Sequence, residues 1–447
     1  MNRPEVRAVR RRGQILRPAG RLVPPMPAPR VGALVPPLPS VAEEHRAALV
    51  FLFALTLPMF GQSFHYLIDV MPAYYLSKAW PALTLALVPV GIARAKPPLT
   101  LLFLLMLAYV LGVTPMVSMI QLGNGLFDGL ATTAKSWPLT YYFSLLGLLM
   151  VAKPKASQVE RALVILGATT FGLMVLLWIV MPASAYQGNN ADSKLFMFEF
   201  ERGYRIYMPM FFGNLFVFWC ARQAVAGRGR LWLLGLAVAC ILAEILIYKQ
   251  RTAIAVSLLL VGWAVTTALP RQLRSLVILG GVMAAAVLIF AVATGMIGES
   301  AKSNLGGSLT IRQNSLALAF NFMFGDPLRL LFGVGSITRF SAVTMADVFG
   351  DAQFFLADLG WVGIMFEYGL LGVLLIASCL LGCLYFAWRN AADGDPMALA
   401  LRDLILYVSI ASIIYSVMFT PGEFATAAAL SVYLARRRAQ STVAEPS

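Results

Sequence analysis

The chain has 447 residues, of which 59% are hydrophobic and only 13% charged, and its formal net charge is +14. Soluble domains carry roughly 25% charged residues, so this composition excludes the soluble class and requires most of the surface to face lipid. Nucleic acid is excluded as well: no basic segment is interleaved with aromatics, and the positive-inside bias together with anionic headgroups accounts for the charge.

Residues 1–44 are rich in Arg and Pro, as in Arg10-Arg11-Arg12 and Pro24-Pro25-Met26-Pro27. Such a segment has no core to bury and reads as a disordered basic tail. The first apolar run starts near Ala47, too far along for an ordinary cleaved signal peptide.

Apolar runs then recur at helical length. They fall at 47–66, 74–93, 98–119, 137–152, 159–181, 204–222, 231–248, 252–269, 274–296, 361–388, 401–420 and 423–435. Each is near the ~20 residues that cross ~30 Å of hydrocarbon. The expected fold is an all-α polytopic membrane protein with about twelve transmembrane helices over 45–435, then a short tail at 436–447. No internal repeat is visible.

The charges set a topology. Arg94 and Lys96, Lys153 and Lys155, Arg222 with Arg228 and Arg230, Arg271 and Arg274, Arg389, and Arg436 to Arg438 fall in alternate loops. The positive-inside rule puts those loops and both termini in the cytoplasm. The opposite side then carries the 182–203 loop, the Lys249–Arg251 turn, a long polar insert at 298–360 and the Pro421–Glu423 turn. A loop as long as the insert is uncommon unless it carries function. It holds Arg312, Asp326, Arg329, Arg339, Asp347, Asp351 and Asp358. Ser308 to Phe324 reads as a helix ended by Gly325 and Pro327, and Gly333-Val334-Gly335 as a tight turn.

Cys220, Cys240, Cys379 and Cys383 lie in or beside apolar runs and read as small buried apolar groups. His45 and His65 are isolated, so no catalytic metal is expected from them.

Basic residues on the non-cytoplasmic side run against the topology rule and need a reason. Arg251 either snorkels to the interface or binds an anion, for which its planar fork is suited. Arg202 and Arg205 either pair with Glu199 or Glu201 or bind a ligand. Asp358 either caps the helix opening near Trp361 or, like Asp351, accepts a proton from a hydroxyl. Glu367, inside an apolar helix, must pair or face a cavity.

Four elements together resemble a family. Gln250-Arg251-Thr252-Ala253 opens an apolar helix; Arg312 begins a loop helix; Phe332-Gly333-Val334-Gly335 follows; and Glu367-Tyr368-Gly369-Leu370-Leu371-Gly372 opens the next span. Their order over about 250–375 is similar to that of the O-antigen polymerase and O-antigen ligase superfamily, the Wzy-type polymerases and their relatives. Ligases carry a His shortly before the Glu-x-Gly element. Here Asp358 stands at that place in an Asp-x-Gly, which resembles the exopolysaccharide-type polymerases instead.

The resemblance implies a glycosyltransferase of the bacterial inner membrane that joins saccharides carried on undecaprenyl diphosphate at the periplasmic face. It implies Arg251 and Arg312 as diphosphate binders; beside them Arg205 and Arg339 stand as further candidate binders from their charge, and Asp358 as the candidate base with Asp351 next in line. Fixed Arg groups can stabilise the departing diphosphate in a partly dehydrated site, and a carboxylate can assist attack by an acceptor hydroxyl. No metal or cofactor is implied. The expected partners are lipid-linked saccharides, membrane lipids and a chain-length-regulating co-polymerase. Two alternatives stand beside a polymerase: a ligase-like glycan transferase, and a transporter or flippase for the lipid-linked precursor.

Overall fold

The computed structural model describes residues 54–188, 195–200, 202–227, 230–293, 307–337, 343–350 and 354–444. The basic N-terminal tail, Arg339 and Asp351 lie outside the described residues. The chain is mostly helical, at 79%. Among the described residues five helices are long and apolar enough to cross a membrane: Thr100–Leu122, Ala156–Val180, Leu231–Tyr248, Arg251–Ala268 and Leu356–Asn390. A sixth candidate is a pair, α1 (Met71–Leu83) and α2 (Leu87–Ala95), bent by 54° between the two.

The further elements follow in chain order. α3 is Thr100–Leu122, α4 is Leu126–Thr132, α5 is Tyr141–Ala152 and α6 is Ala156–Val180. A small sheet comes next, with β1 (Gln187–Gly188), β2 (Phe196–Glu199) and β3 (Gly203–Ile206). Then come α7 (Phe211–Ala226), α8 (Leu231–Tyr248) and α9 (Arg251–Ala268). α10 (Arg271–Ala293) is followed by α11 (Gly307–Phe324), α12 (Pro327–Phe332) and α13 (Met345–Phe349). α14 (Gly360–Asn390), α15 (Pro396–Ala411) and α16 (Pro421–Ala444) complete the chain.

Two expected boundaries are corrected. Residues 204–206 are not helical: β3 pairs antiparallel with β2, with Met197 opposite Arg205, and the helix starts only at Phe211. Pro209 explains the delay, because it lacks an N–H and disfavours helical backbone in the residue before it. The expected tail at 436 is instead the continuation of α16. Arg436 is buried and donates to the Lys96 carbonyl at 3.0 Å. Arg438 meets Glu160 and Asp395, each at 2.6 Å. The Tyr433 hydroxyl donates to the Pro154 carbonyl at 2.7 Å. Loops assigned to one side from their charge therefore meet around the C-terminal half of α16.

The core is a set of mutually packed helices in which α7 touches α6, α8, α9 and α15. All four cysteines are buried and free, as expected of small apolar fillers. One buried charge cluster holds α7 to α15. Arg222 Nε lies 2.6 Å from the Asp403 carboxylate, and Arg402 meets the other oxygen of Asp403 at 2.7 Å. Arg222, Arg402 and Asp403 are all buried, so the carboxylate is the counter-charge that makes two interior guanidinium groups tolerable. Asp403→Asn is expected to destabilise the folded protein by about 3–5 kcal/mol, read as a fall in melting temperature in detergent; an unchanged melting temperature contradicts this role.

Candidate functional site

The loop glycines are fixed by a break in a helix. α14 is interrupted at Gly369, whose backbone (φ 63, ψ −175) lies in a region only glycine adopts. Interrupting a helix leaves carbonyls without their donors from the next turn. Here the loop supplies the donors: Val334 N–H bonds the Phe366 carbonyl at 2.8 Å and Gly335 N–H bonds the Glu367 carbonyl at 3.1 Å. Gly333 (φ 82, ψ −171) is in the same glycine-only region. A Cβ on Gly369 would lie 2.3 Å from the Gly333 nitrogen and 2.4 Å from the Leu331 carbonyl oxygen. The two glycine motifs, far apart in sequence, are the two halves of one backbone contact.

That contact positions Glu367. Its side chain, 5% exposed, forms an ion pair with Lys135, which follows α4. Pairing and facing a cavity were alternatives for this residue, and it does both. The Tyr109 hydroxyl donates to the Tyr368 carbonyl at 2.7 Å, and Ser136 Oγ and the Tyr368 hydroxyl are 3.2 Å apart. Lys135 and Glu367 line a cavity of about 600 Å3. Its other walls are largely apolar, including Phe354, Phe355, Met418 and Phe419. Such a volume lies within the range of small-molecule pockets.

Beside the cavity sits Asp358. Its neighbour Ala357 lines the cavity, as does Ser416, whose N–H bonds the Ala357 carbonyl at 2.9 Å. Asp358 lies in a short 3-10 turn, Leu356–Leu359, and does not cap α14; Leu359 holds that position without a side-chain bond. Instead its carboxylate faces Arg312 at 3.7 Å, with 38% of the Asp358 side chain exposed. Arg312 reaches it from α11, donates to the Tyr415 hydroxyl at 3.3 Å and lies 5.3 Å from the centre of that ring. Its Nε is buried without a hydrogen-bond partner. Arg202 lies within electrostatic reach of the same carboxylate.

The other described acids of the insert are committed elsewhere. Asp326 caps α12 by accepting from Leu328 N–H at 2.9 Å and faces Arg329 at 3.7 Å. Asp347 forms a capping box with Thr344, and hydrogen bonds from the Thr344 side chain and backbone hold its carboxyl below the ordinary value. Asp358 is the described carboxylate of the insert that pairs with a cation and caps no helix.

The remaining candidates divide. Arg205 and Arg202 both pair with Glu199, so the structure realises the pairing alternative for them. Arg205 is also buried, with its guanidinium 5.7 Å from the Tyr207 ring centre. Arg251 opens α9 and is exposed. Among the described residues no hydrogen bond or ion pair ties its guanidinium to another element. Its turn is nonetheless tied to the site, because Lys249 Nζ donates to the Arg202 carbonyl at 2.9 Å.

Sequence reasoning passed over Lys135 and Tyr415. Lys135 carried a usable signal: it is a cation placed by the charge pattern on the non-cytoplasmic side, the anomaly that singled out Arg251. Tyr415 carried none, since only folding brings it to Arg312.

Comparison of the chain with protein-family models and with curated proteins gives no match. The functional reading stands on the site's geometry and on the motif resemblance.

Proposed function

We propose that the chain is a polysaccharide polymerase of the bacterial inner membrane, joining undecaprenyl-diphosphate-linked repeat units into an exopolysaccharide or O-antigen chain. In this reading about twelve spans cross the bilayer, both termini are cytoplasmic and the 298–360 insert is periplasmic. The observation that carries it is the ion pair between Arg312 and Asp358 beside a cavity large enough for sugar rings.

The pair supplies both halves of a glycosyl transfer. A diphosphate carries more charge than one carboxylate and offers a guanidinium bidentate contact. The incoming donor therefore draws Arg312 from Asp358, which is left free as a base. Asp358 accepts the proton of the acceptor hydroxyl as that oxygen bonds the anomeric carbon. The bond from that carbon to the diphosphate breaks, and undecaprenyl diphosphate leaves with the bonding pair, its charge met by Arg312 with support from Arg251. Attack opposite the leaving group inverts the anomeric centre. Both substrates are anchored in one bilayer, which removes much of the entropic cost of their encounter.

Purified protein in vesicles containing only lipid-linked repeat units is expected to lengthen the saccharide and release undecaprenyl diphosphate. Asp358→Asn is expected to slow this by about 100-fold or more while inserting normally. Movement of the lipid across the vesicle without chain growth would instead identify a flippase. Full activity in Asp358→Asn would remove that residue from the reaction.

A further inference from the structure

A second polar cluster lies inside the helix bundle and has no part in the transfer described above. Glu244 is wholly buried near the end of α8, a helix apolar enough to span a membrane. Both of its carboxyl oxygens are enclosed without a hydrogen-bond partner. So are Ser257 Oγ on α9 and Asn214 Oδ1 on α7, residues that are 0% and 2% exposed. The Ser257 hydroxyl lies beside the Glu244 carboxyl, and Tyr407 on α15 lies beside Asn214 and within electrostatic reach of Glu244. α7 packs against α8, α9 and α15, the helices that carry Glu244, Ser257 and Tyr407.

Unpaired acceptor oxygens rarely collect in a protein interior, and an ionised carboxylate there is untenable without a counter-charge. No lysine or arginine pairs with Glu244 among the described residues. The titratable groups facing it are Cys240 and Tyr248 on its own helix and Tyr407 on α15. Beyond Tyr248 and Tyr407 lie Tyr207, Glu423 and, next to Tyr248, Arg205. A proton resolves the arrangement directly. A carboxylic acid is uncharged, its own O–H is a donor, and the Ser257 hydroxyl beside it offers an acceptor.

Local backbone geometry also marks Glu244. It opens a π-helical turn, Glu244–Tyr248, of the kind frequent at functional positions. The turn is closed by Lys249 N–H on the Glu244 carbonyl at 2.7 Å. Lys249 ends the helix in a left-handed conformation, and its ammonium holds the Arg202 carbonyl. The buried acid thus sits at the root of the turn that carries the outer cations.

We propose that Glu244 is a proton-binding site within the membrane, held as a neutral carboxylic acid beside the Ser257 hydroxyl of the neighbouring helix. This inference is independent of the polymerase reading. Its test is infrared spectroscopy of the purified full-length protein in neutral, sodium-free buffer. Wild type is expected to show the carbonyl stretch of a protonated carboxylic acid, shifted in heavy water and missing in Glu244→Gln, whose amide matches the neutral acid in size. That band is expected to survive addition of sodium chloride, and Glu244→Gln is expected to melt with the wild type. If Glu244→Gln does not purify folded, the difference is taken against Glu244→Met. A wild-type-minus-variant spectrum without the band overturns the proposal. So does a band that sodium removes, which would make this an alkali-cation site.

Discussion

Gly369→Ala is expected to leave little folded protein, with a loss of more than about 4 kcal/mol, in the range reserved for a few named mechanisms. Two of them act together here. The backbone at Gly369 lies where a side chain is strained, and the new methyl would fall 2.3 Å from the Gly333 nitrogen. Neither neighbour can yield, because both are backbone and each belongs to the pairing of the loop with the broken helix. The measurement is the folded yield after detergent extraction, read by size-exclusion elution and melting temperature. Gly333→Ala is expected to behave alike, since its Cβ would meet the Glu367 carbonyl oxygen at 2.4 Å. Wild-type yield and melting from both variants would mean that the loop is not docked there.

Arg312→Ala is expected to abolish polymer formation while the protein inserts and melts like the wild type. The side chain is 30% exposed and its pair with Asp358 is loose, at 3.7 Å, so its removal costs the fold little. The reaction loses the fixed positive charge that meets the leaving diphosphate, an effect of about 100- to 1000-fold for one such donor. Arg312→Lys is expected to recover only part of the activity, because an ammonium lacks the planar two-donor fork. Single-turnover release of undecaprenyl diphosphate from preloaded vesicles is the appropriate readout, since it isolates bond cleavage from binding. Wild-type release from Arg312→Ala would remove this residue, and with it the proposed mechanism.

Arg251 is distinct from Arg312. It is exposed at the start of α9, and the resemblance alone recommends it equally. The structure ties its turn to the site through Lys249 and Arg202, not through its own guanidinium. Arg205 shows how a charge anomaly can have a structural origin: it satisfies Glu199 within a small sheet. From the sequence these arginines look alike, because each is a cation on the side where cations are unexpected. What separates them is the partner, and partners come from other elements.

The membrane character of the chain, its helix-length apolar runs, the loop helix from Ser308 to Phe324 and the tight turn at Gly333-Val334-Gly335 follow from the sequence by itself. Composition and period act locally: an apolar run of helical length must satisfy its own backbone in lipid whatever its neighbours do, and glycine marks unusual backbone wherever it stands. Only the tertiary structure decided that Gly333 and Gly369 meet, that Glu367 pairs with Lys135, that Asp358 faces Arg312 and that Glu244 has no counter-charge among the described residues. Those outcomes depend on which helix ends arrive at the same place, and that is set by packing between distant segments, such as those of Lys135 and Glu367, 232 residues apart. Charge pattern narrowed the candidates to one side of the bundle; the distances that make a few of them a site exist only once the helices have packed.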